Sequence, residues 1–249
     1  GSIYLFKPQV EAWLDRPYDH LTLTGKPVSA QAQVDAALKA VPGSRLRTYE
    51  VRREADETTR IFAEAWHSDW SFQAVPPAAT LLRSQVVPPV GGDTLFADTA
   101  SAYEALSPAF QSMIGGLRAV HSASRAYGTK GVFARETEKR TMQIIVSEEA
   151  DKTFAHPLVR THPVTGRKAI FASPVYTVGI EGMTAEEGAA ILGFLFKHMT
   201  AEAFVYRHKW QKDMLLMWDN RCTVHLAEGG YDGHLRVMHR TTVAGEVPV

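Results

Sequence analysis

The amino-acid sequence predicts a mainly β protein with flanking helices, and three observations carry that expectation. Short segments that suit extended backbone recur along the chain. Gly/Pro clusters at Pro76-Pro77, Pro88-Pro89, Gly91-Gly92, Gly115-Gly116 and Gly229-Gly230 punctuate them. Only two stretches read as helix. The expected strands are Arg45–Arg52, Ala79–Val87, Leu117–Ser122, Leu158–Thr161, Lys168–Phe171, Ala203–Trp210, Met214–Trp218 and Leu235–Val243. One helix is expected over Ala100–Ile114, broken near Pro108, since proline interrupts a helix interior. The other starts at Thr184, where Thr184 and Glu187 have the spacing of a capping box. Ile191, Leu195 and Met199 then recur every fourth residue, which lays this helix against a sheet. Ser124–Lys152 is charged and fits neither period, as a lid or a solvated excursion would. Residues 1–43, interrupted by Pro8, Pro17, Pro27 and Pro42, read as mixed loop and helix.

Length and composition narrow the function classes. A chain of 249 residues and 27.5 kDa suits a single domain spanning residues 1–249. Basic and acidic residues balance at 27 each, so no charge excess points to nucleic acid or to an anionic membrane as partner. One cysteine, Cys222, excludes an intrachain disulfide and suits a reducing, cytoplasmic setting. No apolar run approaches the roughly 18 residues of a membrane span. The opening Gly1-Ser2 reads as a tag remnant, so the native start is expected to lie elsewhere.

The chemistry concentrates in three places. In Trp66-His67-Ser68-Asp69, the histidine and aspartate stand two residues apart, so an extended segment would point both to one face. Trp66, Trp70 and Phe72 around them suit a half-buried strand. On the pair alone, a surface strand carrying both residues by accident is the favoured reading. Met217–His225 reads as a buried strand, a polar Asp219-Asn220 turn and a second strand bearing His225. Eleven residues after His225, Arg236 begins a strand on which Arg236, Met238 and Arg240 share a face. Two arginines side by side repel unless each meets an anion. Two imidazoles and one carboxylate leave metal positions open for a co-substrate and dioxygen, the ligand set of non-haem Fe(II) oxygenases.

The chain resembles the TauD/TfdA family of Fe(II)- and 2-oxoglutarate-dependent dioxygenases. The resemblance is carried by Trp-His-Ser-Asp (66–69), Pro-Pro-Ala-Ala-Thr (76–80), Gly-Gly-Asp-Thr-Leu-Phe (91–96), Ala-Tyr-Glu-Ala-Leu-Ser (102–107), His-Pro-Leu-Val-Arg-Thr-His-Pro (156–163), Trp-Asp-Asn-Arg (218–221) and Met-His-Arg-Thr-Thr (238–242). It runs from about Val51 to the C-terminus, and the intervals from His225 to Arg236 and Arg240 fit the family pattern. The resemblance implies a double-stranded β-helix, or jelly roll. It implies Fe(II) on His67, Asp69 and His225, and 2-oxoglutarate on Thr94 and Arg236, with O2 as the second co-substrate. Arg240 and Tyr176 would hold a small anionic substrate, with succinate and CO2 as co-products. Assembly as a dimer or tetramer is also implied.

The sequence departs from the family at two points. No counterpart of the family's N-terminal strands is evident in residues 1–43. Ala63 replaces the polar residue that contacts the amine in taurine-type members, which weighs against taurine. Residues 51–57 and 122–128 lean toward the aryloxyalkanoate dioxygenases, with a taurine or alkylsulfonate dioxygenase as the alternative within the family. Two rivals from other classes are a zinc hydrolase using the same three ligands and a non-catalytic jelly-roll binding module. Paired arginines favour the oxygenase over hydrolysis, which needs no second carboxylate clamp. His121, His156, His162, His198, His208, His234 and His239 read as structural or surface residues, and Cys222 as a small core residue.

Overall fold

The chain's computed structural model describes residues 2–6, 45–50, 60–64, 66–129, 147–231 and 234–249. Its strands are β1 (Ser2–Phe6), β2 (Arg45–Glu50), β3 (Arg60–Glu64), β4 (Ala79–Val86), β5 (Thr94–Asp98), β6 (Arg118–Ser122), β7 (Thr153–Pro157), β8 (Val159–Thr161), β9 (Lys168–Ile170), β10 (Thr177–Ile180), β11 (Val205–His208), β12 (Leu215–Asp219), β13 (Thr223–Ala227) and β14 (Arg236–Val243). The helices are α1 (Thr99–Glu104), α2 (Pro108–Ile114), α3 (Ser124–Tyr127) and α4 (Ala185–Met199).

Every strand pairing is antiparallel. The largest sheet runs β1-β14-β4-β12, and two three-stranded sheets run β11-β5-β13 and β10-β6-β7. Phe96 of β5 packs against Trp218 of β12 at 5.2 Å between ring centroids, so the first two sheets meet through aromatic side chains. This is the mainly β jelly-roll arrangement with helices outside that the sequence predicts. The core gathers Trp66, Leu95, Ala97, Leu158, Ile170, Val224 and Leu226 with the inner faces of α1 and α4. Among the described residues, no helix is long and apolar enough to cross a membrane.

Local chemistry explains the helix ends. Proline 108 splits the expected Ala100–Ile114 helix in two. The Asp98 carboxylate caps α1 by accepting from Ala100 N and Ser101 N, and Ser107 Oγ caps α2 by accepting from Phe110 N. The Thr184/Glu187 capping box forms, and α4 buries Leu192, Leu195, Phe196 and Met199.

Two expectations need correction. Residues 1–43 do contain a strand that belongs to the sheet: β1 pairs with β14 from Ser2↔Arg240 to Phe6↔Arg236. Residues 7–44 lie outside the described residues. The Met214–Trp218 segment is not fully buried either. As β12 it is an edge strand, and Leu215 and Met217 are 65% and 64% exposed while Trp218 turns inward. The proposed lid falls partly outside the described residues (130–146); its flanks form α3 and a 3-10 turn at Glu148–Asp151.

Several of the histidines set aside do pack structurally. His121 is fully buried, with Nδ1 3.1 Å from Ser71 Oγ and its ring stacked on Phe171. Burial, reinforced by neighbouring His156, pushes the His121 imidazole down to about 3. In the unfolded chain the same ring takes up a proton near 6.5, so its contribution to stability is complete above that pH and is lost as pH falls below it. Acidification to about pH 5 should therefore cost about 2 kcal/mol through this group. Urea unfolding midpoints at about pH 7 and pH 5 check this. An unchanged midpoint would show that His121 ionises in place.

Candidate functional site

His67 and His225 are joined by backbone before they are joined by chemistry. His67 N donates to His225 O at 2.9 Å and His225 N donates to His67 O at 2.8 Å, an isolated antiparallel bridge. Their rings lie 4.2 Å apart, inclined by 48°. Asp69 does not extend a strand from His67, contrary to expectation. The chain turns at Asp69-Trp70, with Trp70 in the left-handed region at φ 49°. The turn still delivers the carboxylate: Asp69 Oδ1 lies 3.9 Å from His67 Nε2 and 4.0 Å from His225 Nε2. All three ligand atoms lie within 4.8 Å of one another, so one cation could meet two imidazoles and a carboxylate.

Aromatic side chains wall this group on several sides. The His225 ring packs between Trp218 and Phe96, at 4.8 and 6.0 Å. Tyr176 stands edge-on to His67 at 6.0 Å and leans on Phe72 at 4.8 Å. Burial raises the Tyr176 phenol well above its usual range, helped by Tyr127 and the Asp69 carboxylate, so it stays protonated. Burial also pushes His225 down to about 3, leaving a neutral imidazole suited to metal binding. For Asp69, burial opposes ionisation, but His225, His67, the Arg240 guanidinium and the Thr80 hydroxyl outweigh it and hold the carboxyl low.

The two arginines of β14 meet different partners. Arg240 Nη2 lies 2.9 Å from Asp69 Oδ1, and its guanidinium sits 5.4 Å from the Trp70 ring centroid. Arg236 is only 7% exposed and makes no ion pair among the described residues. Its Nη2 makes a long bond, 3.4 Å, to Gly92 O, its Nε has no hydrogen-bond partner, and its guanidinium meets Tyr231, 5.8 Å from the ring centroid and in reach of the hydroxyl. Gly92 gives it room, since a Cβ there would lie 3.3 Å from that Nε. Two residues further on, buried Thr94 accepts a 3.0 Å hydrogen bond from Trp210 Nε1. Thr94 can therefore give its own proton to an anion. A buried cation without a carboxylate partner among the described residues, held at Gly92 two residues before the Thr94 hydroxyl donor, suits the carboxylate of a bound acid.

Thr80 and Trp210 were given no role by sequence reasoning, and Trp70 and Asn220 were read only as a packing and a turn residue. Thr80 and Ser84 are fully buried hydroxyls on β4, which also carries Arg83 and Gln85, so a polar residue there gave no distinct signal. A second group, His162, Asp219 and Cys222, also has ligand spacing. Its members are already engaged: His162 Nε2 lies 3.0 Å from Asp219 Oδ2, and Arg221 grips the same carboxylate at 2.6 Å. His162 Nδ1 accepts from Val164 N and Thr165 N, so this cluster reads as a structural network.

Comparison with known proteins assigns the class. The family described as "Taurine catabolism dioxygenase TauD, TfdA family" matches residues 21–242, and the chain belongs to it. The alpha-ketoglutarate-dependent 2,4-dichlorophenoxyacetate dioxygenase of Cupriavidus pinatubonensis is 41% identical over 175 residues, which cover 70% of this chain and 58% of that protein. The alpha-ketoglutarate-dependent sulfate ester dioxygenase of Pseudomonas putida is 33% identical over 187 residues, covering 75% and 62%. The chain thus spans about three fifths of the length of these two curated relatives. Among solved structures, AAD-2 in complex with Mn(II) and N-oxalylglycine is 38% identical with a TM-score of 0.63, covering 74% of this chain and 69% of that one.

Proposed function

We propose that the chain is an Fe(II)- and 2-oxoglutarate-dependent dioxygenase that hydroxylates a small aryloxyalkanoate-type carboxylate and yields succinate and CO2. The observation that carries the reading is the His67–Asp69–His225 cluster, half-buried at His67 and buried at the other two, together with Arg236, a buried guanidinium with no carboxylate partner among the described residues. A zinc hydrolase would need the three ligands but has no use for that arginine. A binding module would need neither.

His67, Asp69 and His225 would hold the metal through two neutral imidazoles and one anionic oxygen. When bound, Fe(II) with 2-oxoglutarate and O2 supplies the oxidising chemistry, while the protein supplies placement. Arg236 and the Thr94 hydroxyl would take the distal carboxylate of 2-oxoglutarate, with Trp210 fixing the direction of the Thr94 proton. Arg240 would give up Asp69 to a bound cation and turn to the substrate carboxylate, tethering one C–H bond near the oxidant. Trp70, Phe72 and Tyr176 give the approach to the site an aromatic character that favours an aryl group. The sulfate ester dioxygenase relative favours a second substrate class for the same arginine, alkyl sulfates or sulfonates.

The test is anaerobic addition of Fe(II) and 2-oxoglutarate, followed through the visible charge-transfer absorption of the chelate. An aryloxypropionate and an alkylsulfonate are then added separately, and succinate is measured after oxygen is admitted. The expected result is an absorption band that shifts with the aryloxypropionate and succinate formed in step with it. A shift with the alkylsulfonate alone would transfer the assignment to the second class. No band in metal-loaded protein would overturn the dioxygenase reading in favour of the zinc one.

A further inference from the structure

We infer that Thr80 is a positioning residue that makes Asp69 a one-oxygen ligand, with Asn220 setting the direction of the Thr80 proton. The inference rests on the reading of Asp69 as a metal ligand. Thr80, fully buried on β4, lies with Oγ1 2.6 Å from Asp69 Oδ2. On its far side Asn220 Nδ2 donates to Thr80 Oγ1 at 2.9 Å. Asn220 is itself fixed from both ends of its backbone: its N donates to Ala78 O at 2.8 Å, and its O accepts from Ser68 Oγ at 2.9 Å.

The polarity of this chain of bonds is determined by what each group can do. An ionised carboxylate only accepts, so the single Thr80 proton must point at Asp69 Oδ2. The Thr80 lone pair is then satisfied by a donor, which selects the amide nitrogen of Asn220. The opposite Asn220 orientation would face oxygen to oxygen and pull the Thr80 proton away, leaving two acceptors 2.6 Å apart. With Oδ2 committed to Thr80, Oδ1 is the oxygen turned toward both histidine Nε2 atoms, and it is the oxygen that Arg240 Nη2, at 2.9 Å, would release to a bound cation. A carboxylate can bind a cation through one oxygen or both. Holding Oδ2 back keeps a coordination position that a two-oxygen grip would consume, and three positions are what a chelating acid plus dioxygen require. The role belongs to the hydroxyl rather than to the volume of the side chain.

The experiment compares full-length parent, Thr80→Val, Thr80→Ser and Asp69→Ala as metal-free proteins. Mn(II) is titrated anaerobically and the free ion is counted by electron paramagnetic resonance. Co(II) absorption is recorded in parallel as a report on coordination number, and thermal unfolding checks folding. Thr80→Val is expected to weaken Mn(II) binding by about 10-fold or more, within the range for loss of an outer-shell partner. Its Co(II) spectrum is expected to change, and Thr80→Ser is expected to restore both parent values. Should Thr80→Val fail to fold, Thr80→Ala against Thr80→Ser gives the same comparison, since these two differ only in the hydroxyl. Parent-like Mn(II) affinity and Co(II) spectrum in the hydroxyl-free variant, with binding lost in Asp69→Ala, would overturn the role of Thr80 alone. Binding retained in Asp69→Ala would overturn the ligand assignment and this inference with it.

Discussion

Asp69→Ala is expected to lose divalent-metal binding by more than about 100-fold, beyond the 10–100-fold typical of changes one shell further out, and to form no succinate. Three features of the site drive so large an effect. Among the described residues, the carboxylate is the only anion in the ligand cluster with the two imidazoles, so its loss leaves neutral ligands to hold a dication. It is also the acceptor for Thr80 and the counter-charge for Arg240 at 2.9 Å, so two further groups lose their partner in the same step. Finally, an approaching cation would then meet the Arg240 guanidinium without the Asp69 counter-charge beside it. Mn(II) titration and succinate measurement test the two arms separately. Metal retained without turnover would assign Asp69 to a later step than metal capture.

Arg236→Met carries the second large effect, and it acts in two directions. Loss of the guanidinium is expected to weaken 2-oxoglutarate by about 2–5 kcal/mol, as truncating one side of a buried charged pair does, or roughly 30-fold to several thousand-fold in affinity. The ligand-free protein should become more stable. Burial already pulls the Arg236 guanidinium below its usual basicity, against a smaller opposing contribution from Tyr231, and its Nε has no hydrogen-bond partner. A thioether of similar length removes that desolvation cost, and hydrophobic replacement of buried ionic groups is often stabilising by about 1–4 kcal/mol. Equilibrium titration with 2-oxoglutarate and urea unfolding of the same variant read the two effects. A variant that bound the co-substrate normally would remove Arg236 from the site, whatever its stability.

Much of this site was legible because its chemistry depends on residue types that few other purposes demand. His67, Asp69 and His225 converge, and of the two arginines of β14, each expected to meet an anion, Arg240 meets Asp69 while Arg236 meets none among the described residues. Strand positions read from composition fall within about two residues of those observed, the ordinary uncertainty of element ends. What stayed hidden depends on tertiary context. The His-x-Asp spacing fits a strand as well as a turn, and the left-handed Trp70 that decides the matter is an aromatic residue, normally a strand former. Thr80 suits any strand by propensity, and nothing in its neighbours announces that its hydroxyl points at a carboxylate. Met217 read as buried because apolarity says nothing of which side of an edge strand meets solvent. Ser2–Phe6 is too short to carry a periodic signal, and its pairing partner lies at the other end of the sequence.

The two backbone bonds between His67 and His225 have a thermodynamic consequence. They form a narrow seam between stretches of chain far apart in sequence, and the side chains that would coordinate a cation hang from its two sides. A cation bound there acts as a removable cross-link: it binds the closed seam and has no comparable purchase on the unfolded chain. By mass action such an ion adds about 2.7 kcal/mol at a hundredfold excess over its dissociation constant. The melting temperature of this protein should therefore report free metal concentration, and chelation should soften the molecule first where its two distant segments are clasped.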